Sequence, residues 1–369
     1  MTDAQTIEKI KHADIERLST EIPGYWNAHL AEKIEKIHQR QIEAGISGTS
    51  FALLADFHCG VNCLHSPAIM KKVLTECSIP YFYNSGDFVS GMGIVTPEDL
   101  IREIVVSRLL FSQIEEKHLM TVGNHEPAYS TFPPPAYYAE YLSKETIYEY
   151  VFRPQTAYKN RVFGESGMYF YADDTFHKVR HIVLNSHDLP SDEQLEKGGI
   201  KCDKFRLSGF QNEQLNWFAK VALDVPSQDW TVVLCTHEPM SGNLEMKMYN
   251  VELLLGIINA FRKHTAYQAK CRHEDICGFD AELDVDYTGK GGDFAVWVGG
   301  HVHKDDCELR DGVLSVCTRN DCLMGADRTA NTVTEQAFDV FTIDKNAHKL
   351  HVTRIGAGED REFTYDVWR

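Results

Sequence analysis

FALLADFH, at residues 51–58 of this 369-residue chain, combines the pattern of a buried strand with a first pair of candidate metal ligands. Its first five residues are apolar, which is typical of a strand that is covered on both faces. Asp56 and His58 follow this run. Alternate side chains of an extended segment point the same way, so these two can share one ion. An acid and a histidine at this spacing are common by themselves, and the prediction therefore depends on the residues at the ends of the other strands.

Five predicted strands end in residues of these chemical types. Short apolar runs predict buried strands over residues 51–55, 81–83, 119–122, 181–184, 230–235 and 294–298. The polar residues that follow five of them are Asp56, His58, Asp87, Asn124, His125, Glu126, His237, His301 and His303. Because the carboxyl ends of strands form the binding edge of an open α/β sheet, we expect these side chains to converge. Carboxylate, imidazole and amide oxygen together suit a pair of divalent metal ions.

Helical signals lie between these strands and indicate one α/β domain. Residues 26–41 carry apolar residues at helical spacing, which predicts an amphipathic helix before the first strand. A first-turn proline after Ser66 and after Thr96 predicts two more helix starts, and residues 212–223 predict another helix. Residues 127–171 are rich in aromatic residues and proline. This composition indicates either a cap beside the site or an excursion packed on its own aromatic residues.

Composition narrows the classes of partner. The formal net charge of −17 disfavours a long nucleic acid, because such partners are bound by clustered lysines and arginines. Every apolar stretch is shorter than the roughly 20 residues of a membrane span, and no secretory signal is visible. We therefore expect a cytoplasmic protein without a membrane partner, with most of its ten cysteines reduced. The sequence leaves the oligomeric state open, including a homo-oligomer.

The ordered motifs resemble the signature of the calcineurin-like metallophosphoesterases over roughly residues 50–305. These motifs are Asp56-x-His58, Gly86-Asp87, Gly123-Asn124-His125-Glu126, His237 and Gly300-His301-Val302-His303. The lead-in over residues 26–50 and the tail over residues 335–358 are similar to a bacterial and prophage-encoded subgroup. The family implies a four-layer αββα sandwich, in which helices flank two mixed β-sheets and the dimetal site lies at the carboxyl ends of strands.

The resemblance also implies a domain organisation. We expect an N-terminal helical lead-in at residues 1–48 and a metallophosphoesterase domain at residues 49–325. The aromatic insertion lies inside that domain, around residues 127–171. C-terminal strands at residues 326–369 are expected to pack on the same domain.

The resemblance assigns roles to the candidate residues. It places Asp56, His58 and His303 on one metal ion and lets Asp87 bridge to the other. The second ion is held by Asn124, His237 and His301. The expected metals are two divalent or mixed-valence ions of Mn, Fe or Zn. His125 and Asn124 contact the substrate, with His125 assisting the leaving group or the phosphoryl oxygens and Glu126 orienting His125.

The function expected from these assignments is hydrolysis of a small phosphorylated substrate by a metal-bridging hydroxide. One alternative within the enzymes is a nuclease or cyclic-nucleotide phosphodiesterase, which a panel of monoesters and diesters separates from a phosphatase. Another alternative is a non-catalytic scaffold, including a component of a phage-related assembly, since fold alone does not establish activity. A scaffold has little reason to keep His125 in addition to seven ligand positions.

Overall fold

The computed structural model describes residues 12–59, 65–91, 96–129, 140–190, 201–241, 247–274 and 278–366. Within these ranges the α-helices are α1 His12–Leu18, α2 Asn27–Ala44, α3 Ser66–Glu76, α4 Pro97–Leu110, α5 Lys144–Ile147, α6 Asn212–Trp217 and α7 Val251–Lys263. Short 3₁₀ segments lie at Gly24–Trp26, Ser112–Lys117, Arg153–Ala157 and Val333–Glu335. None of the helices in the described part of the chain is long and apolar enough to cross a membrane.

The strands form two large sheets and three small ones. In chain order they are β1 Thr49–Leu54, β2 Phe82–Asn84, β3 His118–Met120, β4 Ala128–Tyr129, β5 Glu140–Tyr141, β6 Arg161–Phe163, β7 Phe170–Asp174, β8 Val179–Val183, β9 Leu207–Gly209, β10 Thr231–Cys235, β11 Lys247–Tyr249, β12 Ala266–Cys271, β13 Ala281–Asp286, β14 Asp293–Gly299, β15 Asp306–Arg310, β16 Val313–Cys317, β17 Ala337–Asp344, β18 Lys349–Gly356 and β19 Arg361–Thr364.

Both large sheets are mixed. The first has the order β19-β18-β17-β1-β2-β3, in which β1, β2 and β3 are parallel and β17, β18 and β19 are antiparallel to their neighbours. The second has the order β15-β16-β14-β10-β8-β7-β6, with a parallel centre from β16 to β8 and antiparallel edges. Parallel neighbours end at the same edge of a sheet, so the loops that follow them are brought together.

The two sheets pack face to face. Phe51 of β1 lies with its ring centroid 5.9 Å from that of His181 on β8, and the Tyr83 hydroxyl of β2 is hydrogen bonded to His181 Nδ1 at 2.7 Å. The side chains of β10 alternate between two cores, as the period of two in a strand requires. Val233 belongs to the core between the sheets, whereas Val232 belongs to the core beneath α6 and α7.

Helices cover the outer face of each sheet. The predicted amphipathic helix is α2, whose buried residues Leu30, Ile34 and Ile37 face β17 and β18. The apolar residues of α3 and α4 join the same core. On the other side α7 packs on β14 and β16. The layers are therefore helices, sheet, sheet and helices, and the expected αββα sandwich is confirmed.

Some boundaries differ from the prediction. The strand predicted to reach residue 122 ends at Met120, because the chain leaves the sheet to enter the site. The helix predicted over residues 212–223 is α-helical only to Trp217 and continues as a wider π-helical turn, Phe218–Ala222. Alternating burial in the hairpin of β12 and β13 marks one face of each strand as covered, and the prediction contained neither strand.

The aromatic insertion is shorter than residues 127–171, because β6 and the start of β7 are strands of the second sheet. Residues 130–139, which contain its proline run, lie outside the described residues. In the remainder, α5 is followed by a π-helical turn, Tyr148–Phe152, whose Val151 and Phe152 are buried in the main core. This part of the segment therefore packs into the fold.

Candidate metal centre

Five loops at one edge of the sandwich carry the predicted ligands. The loops after β1, β2 and β3 come from the first sheet, and the loops after β10 and β14 come from the second. Among the described residues, three groups have metal-binding atoms within 4.8 Å of one another. These groups are Asp56 with His58 and His303, His58 with Asp87 and His125, and Asp87 with His237 and His301. The structure therefore brings together side chains that lie up to about 250 residues apart.

The first cluster is formed by Asp56, His58 and His303. His58 Nε2 lies 3.1 Å from His303 Nε2, and Asp56 Oδ1 lies 3.4 Å from the same His303 atom. A carbonyl oxygen can only accept, so the 3.0 Å contact of His58 Nδ1 with Val89 O places the proton on Nδ1 and leaves the Nε2 lone pair facing the cluster. Burial, followed by the nearby charge of His125, lowers the pKa of His58 to about 4 and keeps it neutral.

The second cluster is formed by Asn124, His237 and His301, with Asp87 beside them. His237 Nε2 lies 3.0 Å from Asn124 Oδ1 and 3.1 Å from His301 Nδ1. Asp87 Oδ2 is 3.3 Å from the same His237 nitrogen. The Ser85 carbonyl accepts from His237 Nδ1 at 3.0 Å, which again turns Nε2 toward the cluster.

Asp87 connects the two clusters, since it belongs to two of the three groups. Its carboxylate is buried, and burial by itself raises the pKa of a carboxyl group. The neighbouring histidines, His237 foremost, outweigh burial and hold the pKa of Asp87 well below its usual range. Buried carboxylates surrounded by imidazole nitrogens with inward lone pairs are the donor set of a transition-metal pair, and the residues present therefore fit two such ions.

Left-handed backbone is concentrated at the ligands. Asp56, His58, Asp87, His301 and His303 have φ angles of 51°, 48°, 52°, 77° and 59°. Each costs about 1 kcal/mol or more in a residue other than glycine, so such angles persist only where neighbouring structure holds them. The loops hold one another: His301 N donates to Asp56 Oδ2 at 2.9 Å, and His58 N donates to Asp87 O at 2.9 Å.

Glycines in the motifs allow this close approach. A Cβ atom on Gly123 would lie 2.1 Å from Asp87 Oδ1, and one on Gly300 would lie 2.3 Å from Asp56 Oδ2. Both distances are far below a van der Waals contact. These two glycines are therefore required by the position of the carboxylates beside them.

His125 lies at the mouth of the site. Its backbone N–H donates to Asp87 Oδ1 at 2.9 Å, and its Nδ1 donates to the Ser90 carbonyl. The remaining nitrogen, Nε2, is 3.8 Å from Asp87 Oδ2, and the side chain is 13% exposed whereas that of Asp87 is 1% exposed. The ring centroid is 4.8 Å from that of His58. His125 therefore lies nearer the surface than Asp87, with one nitrogen directed to the centre.

The carboxylate of Glu126 binds the main chain and not the imidazole of His125, which the sequence had suggested as its partner. Its buried carboxylate accepts hydrogen bonds from the backbone N–H groups of Gly123, Asp87 and Phe88 at 2.5, 2.9 and 2.7 Å. Both oxygens therefore face the main chain, while the imidazole of His125 is held by a backbone carbonyl. The structure corrects the expectation that Glu126 orients His125, since Glu126 instead joins the loop after β2 to the loop after β3.

Three residues near the centre were not predicted from the sequence: Glu238, His187 and Phe205. Glu238 Oε1 lies 3.7 Å from His301 Nε2 and 3.2 Å from His187 Nε2, so a buried carboxylate stands behind one expected ligand. The signal was available, because Glu238 directly follows His237. Phe205 lies with its ring centroid 5.0 Å from that of His125, in a loop that carried no motif.

Comparisons with known proteins identify a family and similar solved structures. The family model described as calcineurin-like phosphoesterase matches residues 49–305. No curated protein matches the chain. Among solved structures, the chain is similar to a dimetal phosphatase from Danio rerio, with 13% identity, coverage of 86% of this chain and 99% of that chain, and a TM-score of 0.53. It is also similar to GAP50, the anchor in the inner membrane complex of Plasmodium, with 8% identity, coverage of 87% and 90%, and a TM-score of 0.45.

Proposed function

Because the chain belongs to the calcineurin-like phosphoesterase family, we propose that it hydrolyses phosphate esters with the help of two divalent metal ions. Membership supports metal-dependent phosphoester hydrolysis in general, as the resemblance of the sequence motifs implied. The observation that carries the proposal for this chain is the position of Asp87, whose carboxylate lies within 4.8 Å of metal-binding atoms of His58 in one cluster and of His237 and His301 in the other. A single carboxylate shared between two ligand groups is the arrangement that a metal pair needs.

The ligands divide between the two ions. Asp56, His58 and His303 would hold one, Asn124, His237 and His301 would hold the other, and Asp87 would contact both. Nitrogen and oxygen donors of this kind suit Mn, Fe or Zn. Two such ions, when bound, lower the pKa of a water molecule and offset the charge of the phosphoryl oxygens.

His125 is proposed as the residue that assists the leaving group. Its Nδ1 is occupied by the Ser90 carbonyl, so proton transfer takes place at Nε2, the nitrogen that faces the centre. A positioned acid that donates a proton to a departing alkoxide accelerates a reaction by about 10²–10⁴-fold. Asn124 precedes His125 in the same loop and would contact the same phosphoryl group. Glu126 contributes by fixing the main chain of both loops.

We propose a small phosphorylated molecule as the substrate. The net charge of −17 repels a polyanion, whereas a single phosphate group can be neutralised by the metal ions themselves. We also propose a reducing compartment such as the cytoplasm, because the ten cysteines are scattered along a chain that is too large to depend on disulfide bonds.

The proposal is tested by turnover of metal-stripped and Mn²⁺-loaded protein on paired phosphate monoesters and diesters. We expect turnover only after loading, and a preference within the pairs that separates a phosphatase from a phosphodiesterase. Asp87→Asn should lose metal and turnover together, because a neutral amide is a poorer bridge between cations. Asp284→Asn, an exposed residue of β13, is the matched control. Normal turnover by metal-stripped protein, or by Asp87→Asn, would contradict the proposal.

A further inference from the structure

Asp305, two residues beyond His303, is held by two arginines of the C-terminal strands. Arg354 of β18 donates from Nη2 to Asp305 Oδ1 at 2.5 Å. Arg361 of β19 reaches the same oxygen from Nη1 at 3.1 Å. Both strands lie beyond residues 49–305, the part of the chain that the family model matches. The loop that carries His301 and His303 is therefore anchored to strands outside the part of the chain that the family model matches.

The two arginines are themselves fixed. Arg354 is fully buried, and its Nε and Nη2 donate to the two oxygens of Asp339 at 2.7 and 3.1 Å. Arg361 Nη2 also donates to Asp339. The Ala357 carbonyl accepts from Arg354 Nη1 at 2.9 Å. A planar guanidinium that engages several acceptors at once has little freedom to move. We call the four side chains Asp305, Asp339, Arg354 and Arg361 the arginine clamp.

The loop between His301 and Asp305 needs such an anchor. His301 and His303 both have left-handed backbone, at φ angles of 77° and 59°. Strained backbone persists only where its surroundings determine it. On one side Asp56 accepts from His301 N at 2.9 Å. On the other side Arg354 and Arg361 of the arginine clamp hold Asp305, so the strained segment is fixed at both ends.

Burial of Asp339 alone does not account for this arrangement. Neutralising one buried carboxylate requires one guanidinium, yet both arginines also direct a nitrogen to Asp305. The Asp305 side chain is 29% exposed and can be solvated by water. A partly exposed carboxylate gains position rather than solvation from two arginines. The segment that is positioned in this way is the end of the ligand loop.

We propose that Arg354 and Arg361 are positioning residues that fix His303 for metal binding through Asp305, and that the C-terminal strands are thus part of the metal centre. This inference rests on the proposed function, in which His303 is a metal ligand. Outer partners that hold a metal ligand in place typically change metal affinity by about 10–100-fold when they are removed. The arginine clamp acts one step further out, through the backbone of the loop.

The test measures Mn²⁺ binding to the metal-stripped full chain by calorimetry, in Asp305→Asn and Arg354→Lys. Asp305→Asn should lower the affinity for one of the two ions by about 10–100-fold and leave the affinity for the other at the wild-type value. Arg354→Lys keeps the positive charge but loses the planar guanidinium, and it should lower the affinity for the same ion. Asp306→Asn is the matched control: it removes the same charge one residue away, where the carboxylate accepts from the backbone of its neighbour Cys307. Near-ultraviolet circular dichroism checks that each variant is folded.

Several results would overturn the inference. These are wild-type affinity for both ions in folded Asp305→Asn and Arg354→Lys, or a loss in Asp306→Asn as large as that in Asp305→Asn. A wild-type chain that binds fewer than two ions would also overturn it. A chain that binds two ions but hydrolyses no phosphate ester would refute the proposed function and leave the measured effect of the arginine clamp intact.

Discussion

Four consecutive residues after β3 have four different surroundings. Gly123 leaves room for a carboxylate oxygen, Asn124 faces His237, His125 lies at the mouth and Glu126 binds backbone N–H groups. The residue types and their order could be predicted to form a site, because their chemistry is specific. The role of Glu126 could not, because a buried carboxylate can be directed at a side chain or at the main chain and only the fold decides between them.

His125→Ala should leave both metal ions bound and depress turnover. In the proposed mechanism His125 donates a proton to the leaving oxygen, so turnover of a substrate with a poor leaving group, such as an alkyl alcohol, should fall by about 10²–10⁴-fold. Nitrophenolate needs little protonation, so turnover of a nitrophenyl ester should fall less. Kinetics on an alkyl phosphate and on nitrophenyl phosphate, with metal analysis, give the comparison, and His38→Ala on α2 serves as the control.

Two outcomes would assign His125 differently. Loss of a metal ion would make it a ligand, as its grouping with His58 and Asp87 within 4.8 Å allows. An equal loss on both substrates with metals retained would mean that it stabilises the phosphoryl group and donates no proton.

The elements differ in how far the sequence could predict them. Buried central strands such as β1 and β10 are short apolar runs, and their existence follows from composition. The hairpin of β12 and β13 has one covered face and many polar residues, so its pattern is weaker. For α2 the apolar face could be predicted from the sequence, but the strands on which it packs could not. The pairing of β17 with β1 is a contact between residues about 290 positions apart, which periodicity does not encode.

Helix α2 is joined to the turn after β18 through Asp360. This carboxylate lies 3.0 Å from Lys33 Nζ, 2.5 Å from Lys36 Nζ and 3.8 Å from Arg40 Nη2, and it accepts from Arg354 N at 2.8 Å. Burial raises its pKa, but the bonds from Lys36, Arg354 N and Lys33 outweigh burial and lower the pKa to about 2. The turn therefore carries a carboxylate that is stabilised in its charged form.

Asp360→Asn should lower the free energy of unfolding by about 1 kcal/mol at neutral pH, a value that allows for partial solvent screening. The folded pKa is below the unfolded value of about 3.9, so this stability is present above pH 4 and is lost as the pH falls toward 2. Denaturant unfolding at several pH values, with the exposed neighbour Glu359→Gln as control, measures the difference. A gap between Asp360→Asn and wild type that is constant with pH, or that widens on acidification, would show that the charge is not responsible.

Across the whole molecule, the candidate metal centre lies where the two sheets meet. Asp56, Asp87 and Asn124 follow strands of the first sheet, whereas His237, His301 and His303 follow strands of the second. The motifs in the sequence predict that these strand ends converge, but they do not predict which sheet each strand joins. The arginine clamp could not be foreseen, because an arginine at residue 354 has no local signal that connects it with Asp305.

Metal binding should therefore stabilise the entire sandwich. An ion that binds only the folded chain adds about 2.7 kcal/mol to the free energy of unfolding at 100 times its dissociation constant. Thermal unfolding of metal-stripped protein should shift upward as Mn²⁺ is added, in a concentration-dependent way. A melting temperature that is independent of Mn²⁺ would mean that no ion binds the native site.

The most direct measurement is an anomalous difference map from crystals of the Mn²⁺-loaded protein. We predict two peaks about 3.5–4 Å apart, the separation typical of two-metal sites. One should contact Asp56, His58 and His303, the other Asn124, His237 and His301, and both should contact Asp87. A single peak, no peak at these residues, or two peaks that Asp87 does not bridge would contradict the dimetal assignment.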